Sequence, residues 1–260
     1  MEKPDDDEQG RKLLTAVERI LASTASIKAT VGVASTHVKS LQPELKGAEL
    51  RDAVAAHLVK HYSDRAAIAG GASALPALIP GWGSLVAAVG GTFAELTLLL
   101  KWEVEMALSL SSLYGFDIDK PAERQLSFLM ASVGTYDATG RNFFLDVLQM
   151  EGTAIWNYAP RHVARFVVRV LATLAGLYIW RGFLKAIPVL GIGIGAGLNK
   201  VLTQKVGDRC VRDLKTRRDL MKEETRSGTT ASSASKRKPK AKKKTARKVE
   251  RPTPPTETLN

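Results

Sequence analysis

Apolar residues recur along most of the chain at the three- and four-residue spacing of an amphipathic helix. Leu13, Val17 and Ile20 mark the first such stripe, and a second runs from Leu50 to Tyr62. The strict alternation of apolar and polar positions that marks a strand does not occur in the body of the chain. Because a period of 3.6 residues places such positions on one helix face, the pattern predicts an all-α fold.

One predicted helix has clear boundaries at its end. The apolar pattern continues from Ser84 to Tyr114 and stops at Gly115, a residue type that commonly follows the last turn of a helix. Pro121 then marks the first turn of the next helix, where the missing N–H group costs nothing. Further on, residues 200–225 predict a strongly charged helix with its own apolar stripe.

Two segments of the chain are unusual because they contain no charged side chain, residues 66–94 and 186–199. The first is long enough to cross a bilayer, but its glycines and prolines oppose one straight helix. The second is too short for a conventional span and suits a re-entrant, interfacial or buried segment. We therefore predict two glycine–proline hairpins, near 66–94 and 170–199, that pack together or dip into the inner leaflet. The candidate membrane or packing residues are Pro80, Gly81, Trp82, Gly83, Trp180, Pro188, Gly191, Gly193, Gly195 and Gly197.

The net charge of +12 is concentrated near the C-terminus, where a run reads KRKPKAKKKTARKVER. Such a run buries too little apolar surface to fold, so we expect residues 227–260 to be disordered. We expect the same of the acidic residues 1–10, with residues 11–226 forming one helical domain. The tail suits anionic lipids, which we favour, or nucleic acid bound non-specifically. Its candidate contacts are Lys236, Arg237, Lys238, Lys240, Lys242, Lys243, Lys244, Arg247 and Lys248.

Few residues suggest catalysis or metal binding. His57 and His61 are four residues apart on a predicted helix, but the glutamate of a zincin motif is missing between them. Gly191, Gly193 and Ala196 match a loose dinucleotide fingerprint, which has meaning only between a strand and a helix. In a helical chain the same small residues favour close helix packing. We therefore predict no catalytic residue, no metal site and no cofactor.

Two further residues are of interest. Cys210 is the single cysteine, so no intrachain disulfide can form, and we interpret it as a packing residue. Glu95 lies between apolar residues, where we expect it at the mouth of the first uncharged segment or paired with a basic residue of another helix.

The chain begins without a basic region followed by an apolar one, so no secretory signal is expected.

Three stretches together resemble the EcsC protein family: GGASALPALIPGWG, LSLSSLYGFDI and KAIPVLGIGIGAGLNKVLTQKVG. The most specific parts are Leu113-Tyr114-Gly115 with Asp117, and Ile187-Pro188 leading to Asn199 and Gly207. The resemblance covers about residues 48–214. It implies a helical, bacterial, membrane-associated protein, and a link to a transporter, since the family is named after a protein encoded beside an ABC exporter. It carries over no catalytic residues.

Together these observations predict a non-enzymatic accessory protein on the cytoplasmic side of the cell membrane, acting through lipid or protein contacts. Two alternatives stay open. One is a soluble, cytoplasmic helical bundle whose basic tail binds nucleic acid, and the other is an enzyme whose site the sequence does not reveal. The oligomeric state is not predicted.

Overall fold

A computed structural model describes residues 4–70, 91–138, 167–176 and 191–235, and in these ranges the chain is helical without any strand. The prediction of an all-α fold is confirmed. The helices are α1 (Pro4–Ile20), α2 (Thr24–Leu41), α3 (Gly47–Gly70), α4 (Gly91–Leu113), α5 (Pro121–Ala138), α6 (167–176) and α7 (Gly191–Ser235). None of these helices is both long enough and apolar enough to cross a bilayer. Met1–Arg218 form one compact unit, and Asp219–Asn260 form a second.

Helix α1 begins at Pro4, within the acidic residues 1–10 for which the sequence predicts disorder. Proline is well suited to the first turn of a helix, and acidic residues are favourable there, so the acidic start is also a helix signal. Gly10 is buried against α6, where a Cβ would lie 2.2 Å from the carbonyl oxygen of Val168. The segment is therefore held by a close helix contact that its composition does not reveal.

At the C-terminal end, a helix also extends beyond the boundary that the sequence predicts. We expected the helical domain to end at Arg226, but α7 continues to Ser235. Residues 227–235 contain alanine, serine, threonine and one glycine but no proline, and the first proline of the tail is Pro239. A helix can therefore continue through this stretch without losing a backbone hydrogen bond to a proline. The remainder of the predicted tail lies outside the described residues.

The break between α1 and α2 is held by side chains. Ser23 is in an extended conformation, and its Oγ accepts a hydrogen bond from the Ser26 N–H at 3.2 Å, which caps α2. The preceding Ala22 N–H donates to Glu105 Oε1 of α4 at 2.8 Å. The two helices thus meet at a corner that is fixed by a residue far away in the sequence.

Contacts at two levels give the relative direction of α3 and α7. At one level, Asp52 of α3 accepts hydrogen bonds from Tyr114, which directly follows α4, at 3.3 Å and from Lys215 of α7 at 2.8 Å. Further along α3, Asp64 pairs with Lys200 of α7 at 2.7 Å. Because numbering rises along α3 while it falls along α7, the two helices are antiparallel. Tyr114 places the end of α4 beside the start of α3, so α4 runs parallel to α7.

Helix α5 completes a four-helix bundle and runs parallel to α3. Near its start, Glu123 binds Arg217 of α7. Near its end, Thr135 lies next to Thr203 of α7, since both hydroxyls contact the carboxyl group of Glu103 on α4. The bundle therefore contains two helices in each direction, α3 and α5 against α4 and α7.

This topology gives the bundle two different ends. The helix termini Gly70, Gly91 and Gly191, together with Ala138, lie at one end, which we call the glycine end. The other end holds the starts of α3 and α5 and the end of α4, and we call it the tyrosine end after Tyr114. The undescribed residues 71–90 lie between α3 and α4, residues 139–166 follow α5, and residues 177–190 precede α7. All four of these helix termini lie at the glycine end.

The packed interior agrees with the predicted apolar stripes. Two glycines allow close approach of helices: a Cβ at Gly134 would lie 2.9 Å from Val206 Cγ1, and one at Gly207 would lie 2.7 Å from both Cγ atoms of Val59. Cys210 is fully buried, and burial raises the pKa of its thiol well above the usual range, as suits a packing residue. The predicted stripe residues found in the core are Leu13, Val17, Val54, Leu58, Tyr62, Val206 and Leu214.

Candidate functional site

The glycine end carries apolar side chains that are open to solvent. Ile68, near the end of α3, is 58% exposed, while Leu198 and Val201, near the start of α7, are 43% and 48% exposed. The ion pair between Asp64 and Lys200 brings these two helix segments together. These three exposed apolar side chains therefore lie at the same end of the bundle. We call these three residues the end patch.

The candidate glycines near residue 191 lie within α7 itself. Gly191, Gly193 and Gly195 belong to its first turns, so the residues that match a dinucleotide fingerprint lie in a helix. Gly197 is exposed, and a Cβ there would meet no atom of the described residues within 4 Å. Close helix packing is therefore seen at other glycines and not at Gly197.

Several predicted residues lie outside the described ranges. They are Pro80, Gly81, Trp82, Gly83, Trp180 and Pro188 of the two uncharged segments, and all the predicted lysine and arginine contacts of the tail from Lys236 to Lys248. Their roles remain predictions.

At the tyrosine end, the Leu113-Tyr114-Gly115 motif forms the cap of α4. Gly115 has φ = +92°, a conformation that side chains rarely allow. The Gly115 N–H donates to the Ser112 carbonyl at 3.1 Å, and the Phe116 N–H donates to the Ser111 carbonyl at 3.0 Å. These are the two bonds of a Schellman cap, so the glycine is required by the backbone and the prediction of a helix end at this position is confirmed.

The same turn is covered by arginines. Arg217 of α7 binds both carboxylate oxygens of Glu123 at 2.6 Å, and its guanidinium lies 4.1 Å from the centre of the Phe116 ring. Arg218 lies over the Tyr114 ring at 5.5 Å. Burial, followed by the nearby carboxylate on α3, raises the pKa of the Tyr114 hydroxyl above its usual range. The motif thus joins the bundle helices and has a structural role.

In the middle of the bundle, Glu103 of α4 is completely buried. Its Oε1 accepts a hydrogen bond from Thr203 Oγ1 at 3.2 Å, and its Oε2 is in close contact with Thr135 Oγ1. Burial raises the pKa of Glu103 to about 7, although both threonine hydroxyls act in the opposite direction. One carboxyl group therefore connects α4, α5 and α7, and we call Glu103, Thr135 and Thr203 the three-helix joint.

Glu105, two residues further along α4, is also buried but has a counter-charge. Its Oε1 accepts hydrogen bonds from Lys101 Nζ at 2.7 Å and from the Ala22 N–H. Lys101 lies 3.5 Å from the centre of the Trp102 ring, and burial lowers the pKa of this lysine. Glu105 is thus a fixed charged partner, whereas the three-helix joint has no cation in the part of the chain that is described.

Sequence reasoning selected Glu95 and missed these two glutamates. Glu95 is half-buried and has an interaction partner. A signal for Glu103 and Glu105 was available, because both lie in the mainly apolar stretch from Leu96 to Leu110, in which Lys101 is the only other charged residue. Lys101, four residues before Glu105 on the same helix, indicates the partner of that carboxylate, whereas the partners of Glu103 come from other helices and are not revealed by the sequence.

The histidines do not form a metal site in the described residues. The rings of His37 and His57 lie 5.0 Å apart, and burial is the main cause that lowers the pKa of both His57 and His61. Asp64, which could have been a third ligand, is bonded to lysines instead. Across the described ranges, no three histidine, cysteine, aspartate or glutamate side chains are arranged to hold a metal.

The fold and these contacts define the class of the protein: a helical domain with a polar joint in its core, one capped and charged end, and one end with exposed apolar residues. A family profile described as the EcsC protein family matches residues 9–218. The chain therefore belongs to the EcsC protein family, which confirms the resemblance and extends it over α1 and α2. A search of curated proteins and a search of solved structures each found no match.

Proposed function

We propose that this EcsC family protein is a non-enzymatic accessory protein that binds the cytoplasmic face of a bacterial membrane through the glycine end of its bundle. The observation that supports the proposal is the position of the helix termini. Gly70 and Gly91 lie within the first uncharged segment, where α3 ends and α4 begins, and Gly191 lies within the second, where α7 begins. Since all three termini lie at one end, both segments can reach the same surface.

The exposed apolar side chains of the glycine end belong to the uncharged segments or lie close to them. Ile68 and Leu198 lie within these segments, and Val201 lies two residues beyond the second one. Leu41 is also exposed, at the tyrosine end, but no uncharged segment adjoins it. Each apolar residue moved into lipid gains roughly 0.3–0.6 kcal/mol, so lipid binding favours the end at which the uncharged segments adjoin the bundle.

The basic tail is a separate candidate for contact with an anionic surface, because α7 runs from the glycine end past the tyrosine end before the tail begins. Basic residues close to such a surface contribute about 1 kcal/mol each, and this contribution is screened by salt whereas apolar contacts are not. Two contributions with different salt dependence are therefore expected in the same protein. If the bundle were soluble instead, the tail could bind nucleic acid through counterion release, which is the second candidate.

Flotation of the full-length protein with vesicles tests the proposal. We expect Ile68→Glu and Val201→Glu to weaken binding to anionic and neutral vesicles, and to reduce the fraction that stays bound in high salt. Leu41→Glu is the matched control, because Leu41 is 68% exposed and ends α2 just before the start of α3 at the tyrosine end. Circular dichroism should show unchanged helix content in all three variants.

Two outcomes would contradict the proposal. The first is recovery of the wild-type protein as a soluble species that does not float with any vesicle. The second is an equal loss of binding in Leu41→Glu and in the end-patch variants, because binding would then not depend on the glycine end.

A further inference from the structure

The contacts of Thr135 favour a protonated Glu103. The Thr135 hydroxyl has a single hydrogen, yet its oxygen lies 2.8 Å from the Ala131 carbonyl oxygen and also in close contact with Glu103 Oε2. A carbonyl oxygen and a carboxylate oxygen are both acceptors, so one hydrogen cannot serve both fully. If Glu103 is protonated, its Oε2–H donates to Thr135 Oγ1 and the threonine hydrogen goes to Ala131, so both contacts are hydrogen bonds. If Glu103 is ionised, it takes the threonine hydrogen and the Ala131 carbonyl keeps only its helix bond.

The surroundings of Glu103 agree with a neutral group. Two cations of the packed helices are already paired with other carboxylates: Lys101 with Glu105 at 2.7 Å, and Arg209 with Asp213 at 3.6 Å. The other ionisable side chains that α3, α5 and α7 bury in the bundle are Tyr62, Tyr136 and Cys210. Tyr62 and Cys210 are held neutral by burial, which raises their pKa values. No cation contacts Glu103 in the described part of the chain, and a buried carboxylate without one is very costly.

Glu103 is completely buried, and α5 packs closely on α7 beside the joint. At Gly134, next to Thr135, a Cβ would lie 2.9 Å from Val206 Cγ1 of α7. An ionised carboxylate needs further hydrogen-bond donors, and the described contacts of the Glu103 side chain are the two threonine hydroxyls. We therefore expect ionisation to draw water to the carboxyl group and to loosen the contact of α5 with α7.

We propose that Glu103 is protonated while α5 and α7 are packed together, and that loss of this proton to solvent separates the two helices. We call this pH-dependent contact at the three-helix joint the lock. The lock is a property of the bundle and goes beyond lipid binding, since it operates whether or not the glycine end faces a membrane.

The expected pH dependence follows from linkage. The pKa of Glu103 is raised from 4.5 to about 7 in the folded state. Below pH 4.5 the acid is protonated in both the folded and the unfolded chain, so its burial causes no pH-dependent loss of stability. Between these values the unfolded chain ionises first, and stability falls as pH rises until it levels off above about 7. We expect the folding equilibrium constant of the wild type to fall by on the order of a hundredfold across this window relative to Glu103→Gln.

Glu103→Gln is the informative variant, because its amide N–H can donate to Thr135 Oγ1 as the protonated acid does. In the full-length protein, we expect infrared spectroscopy to show a protonated carboxyl band at about pH 6 that is absent from Glu103→Gln. Amide hydrogen exchange in α5 and α7 should be faster in the wild type than in the variant at about pH 8, and equal at about pH 5.

A second variant keeps the proposal testable if Glu103→Gln does not fold. Thr203→Val removes one donor that stabilises the carboxylate, so the infrared titration should move to higher pH. A carboxyl group that is already ionised at about pH 6 would overturn the proposal. So would a titration that leaves exchange in α5 and α7 unchanged, because the proton would then not control the joint.

Discussion

Asp64 of α3 and Lys200 of α7 form an ion pair of 2.7 Å, although both uncharged segments lie between them in the sequence. Both side chains are about half exposed, so the pair itself contributes little to stability. Its importance is positional. It fixes the end of α3 beside the start of α7, and therefore brings the flanks of both segments to one end of the bundle.

The contact of α7 with α3 and α4 at Gly207 can be tested by adding one methyl group. In Gly207→Ala the new Cβ would lie 2.7 Å from the Cγ atoms of Val59 and 3.0 Å from Met106 Sδ. We expect the variant to lose about 1–3 kcal/mol of unfolding free energy through overpacking, measured by urea denaturation. Val59→Ala in the same chain should restore part of the loss.

Gly197→Ala is the control for this substitution on the same helix. Gly197 is exposed, and the methyl group of an alanine there would meet no described atom within 4 Å. Alanine should therefore leave the unfolding free energy unchanged or raise it by up to about 1 kcal/mol through helix propensity. Equal effects at the two positions would show that α7 does not pack closely on α3.

The cap of α4 gives a second prediction, at Gly115. Its φ of +92° is unfavourable for any residue with a Cβ, so Gly115→Ala should cost about 1–2 kcal/mol of unfolding free energy. Gly115→Asn should cost less, because asparagine tolerates positive φ. Gly32→Ala in α2 is the control, since no described atom lies near it and its backbone is helical. A thermal melt that shows no loss in Gly115→Ala would contradict the Schellman cap.

The third prediction concerns the basic tail. Removal of residues 236–260, which leaves α7 intact to Ser235, should leave the helix content of the bundle unchanged. It should weaken binding to anionic vesicles and not to neutral ones, because the contribution of the tail is electrostatic. A full-length variant in which glutamine replaces the nine basic contacts separates charge from chain length and should behave like the truncated protein. Unchanged vesicle binding together with a large loss of DNA binding would favour the nucleic-acid alternative.

The sequence determined the local part of the fold. Helix periodicity identified the buried faces of α1 and α3, and Gly115 and Pro121 marked where α4 ends and α5 begins. These features are readable because each depends on residues within one or two turns of each other. The family motif around Tyr114 was readable for the same reason, since it is a continuous stretch with its own backbone requirement.

Only the tertiary structure decided which of these local elements meet. The corner at Ser23 depends on Glu105, and the role of Glu103 depends on Thr135 and Thr203 from two other helices. Two glutamates on one helix, separated by a single residue, have the same local pattern but different partners, a lysine for one and two hydroxyls for the other. Lys101 lies four residues before Glu105 on the same helix, so the sequence could indicate that pair. The hydroxyl partners of Glu103 come from distant parts of the chain, and only packing brings them to the carboxyl group.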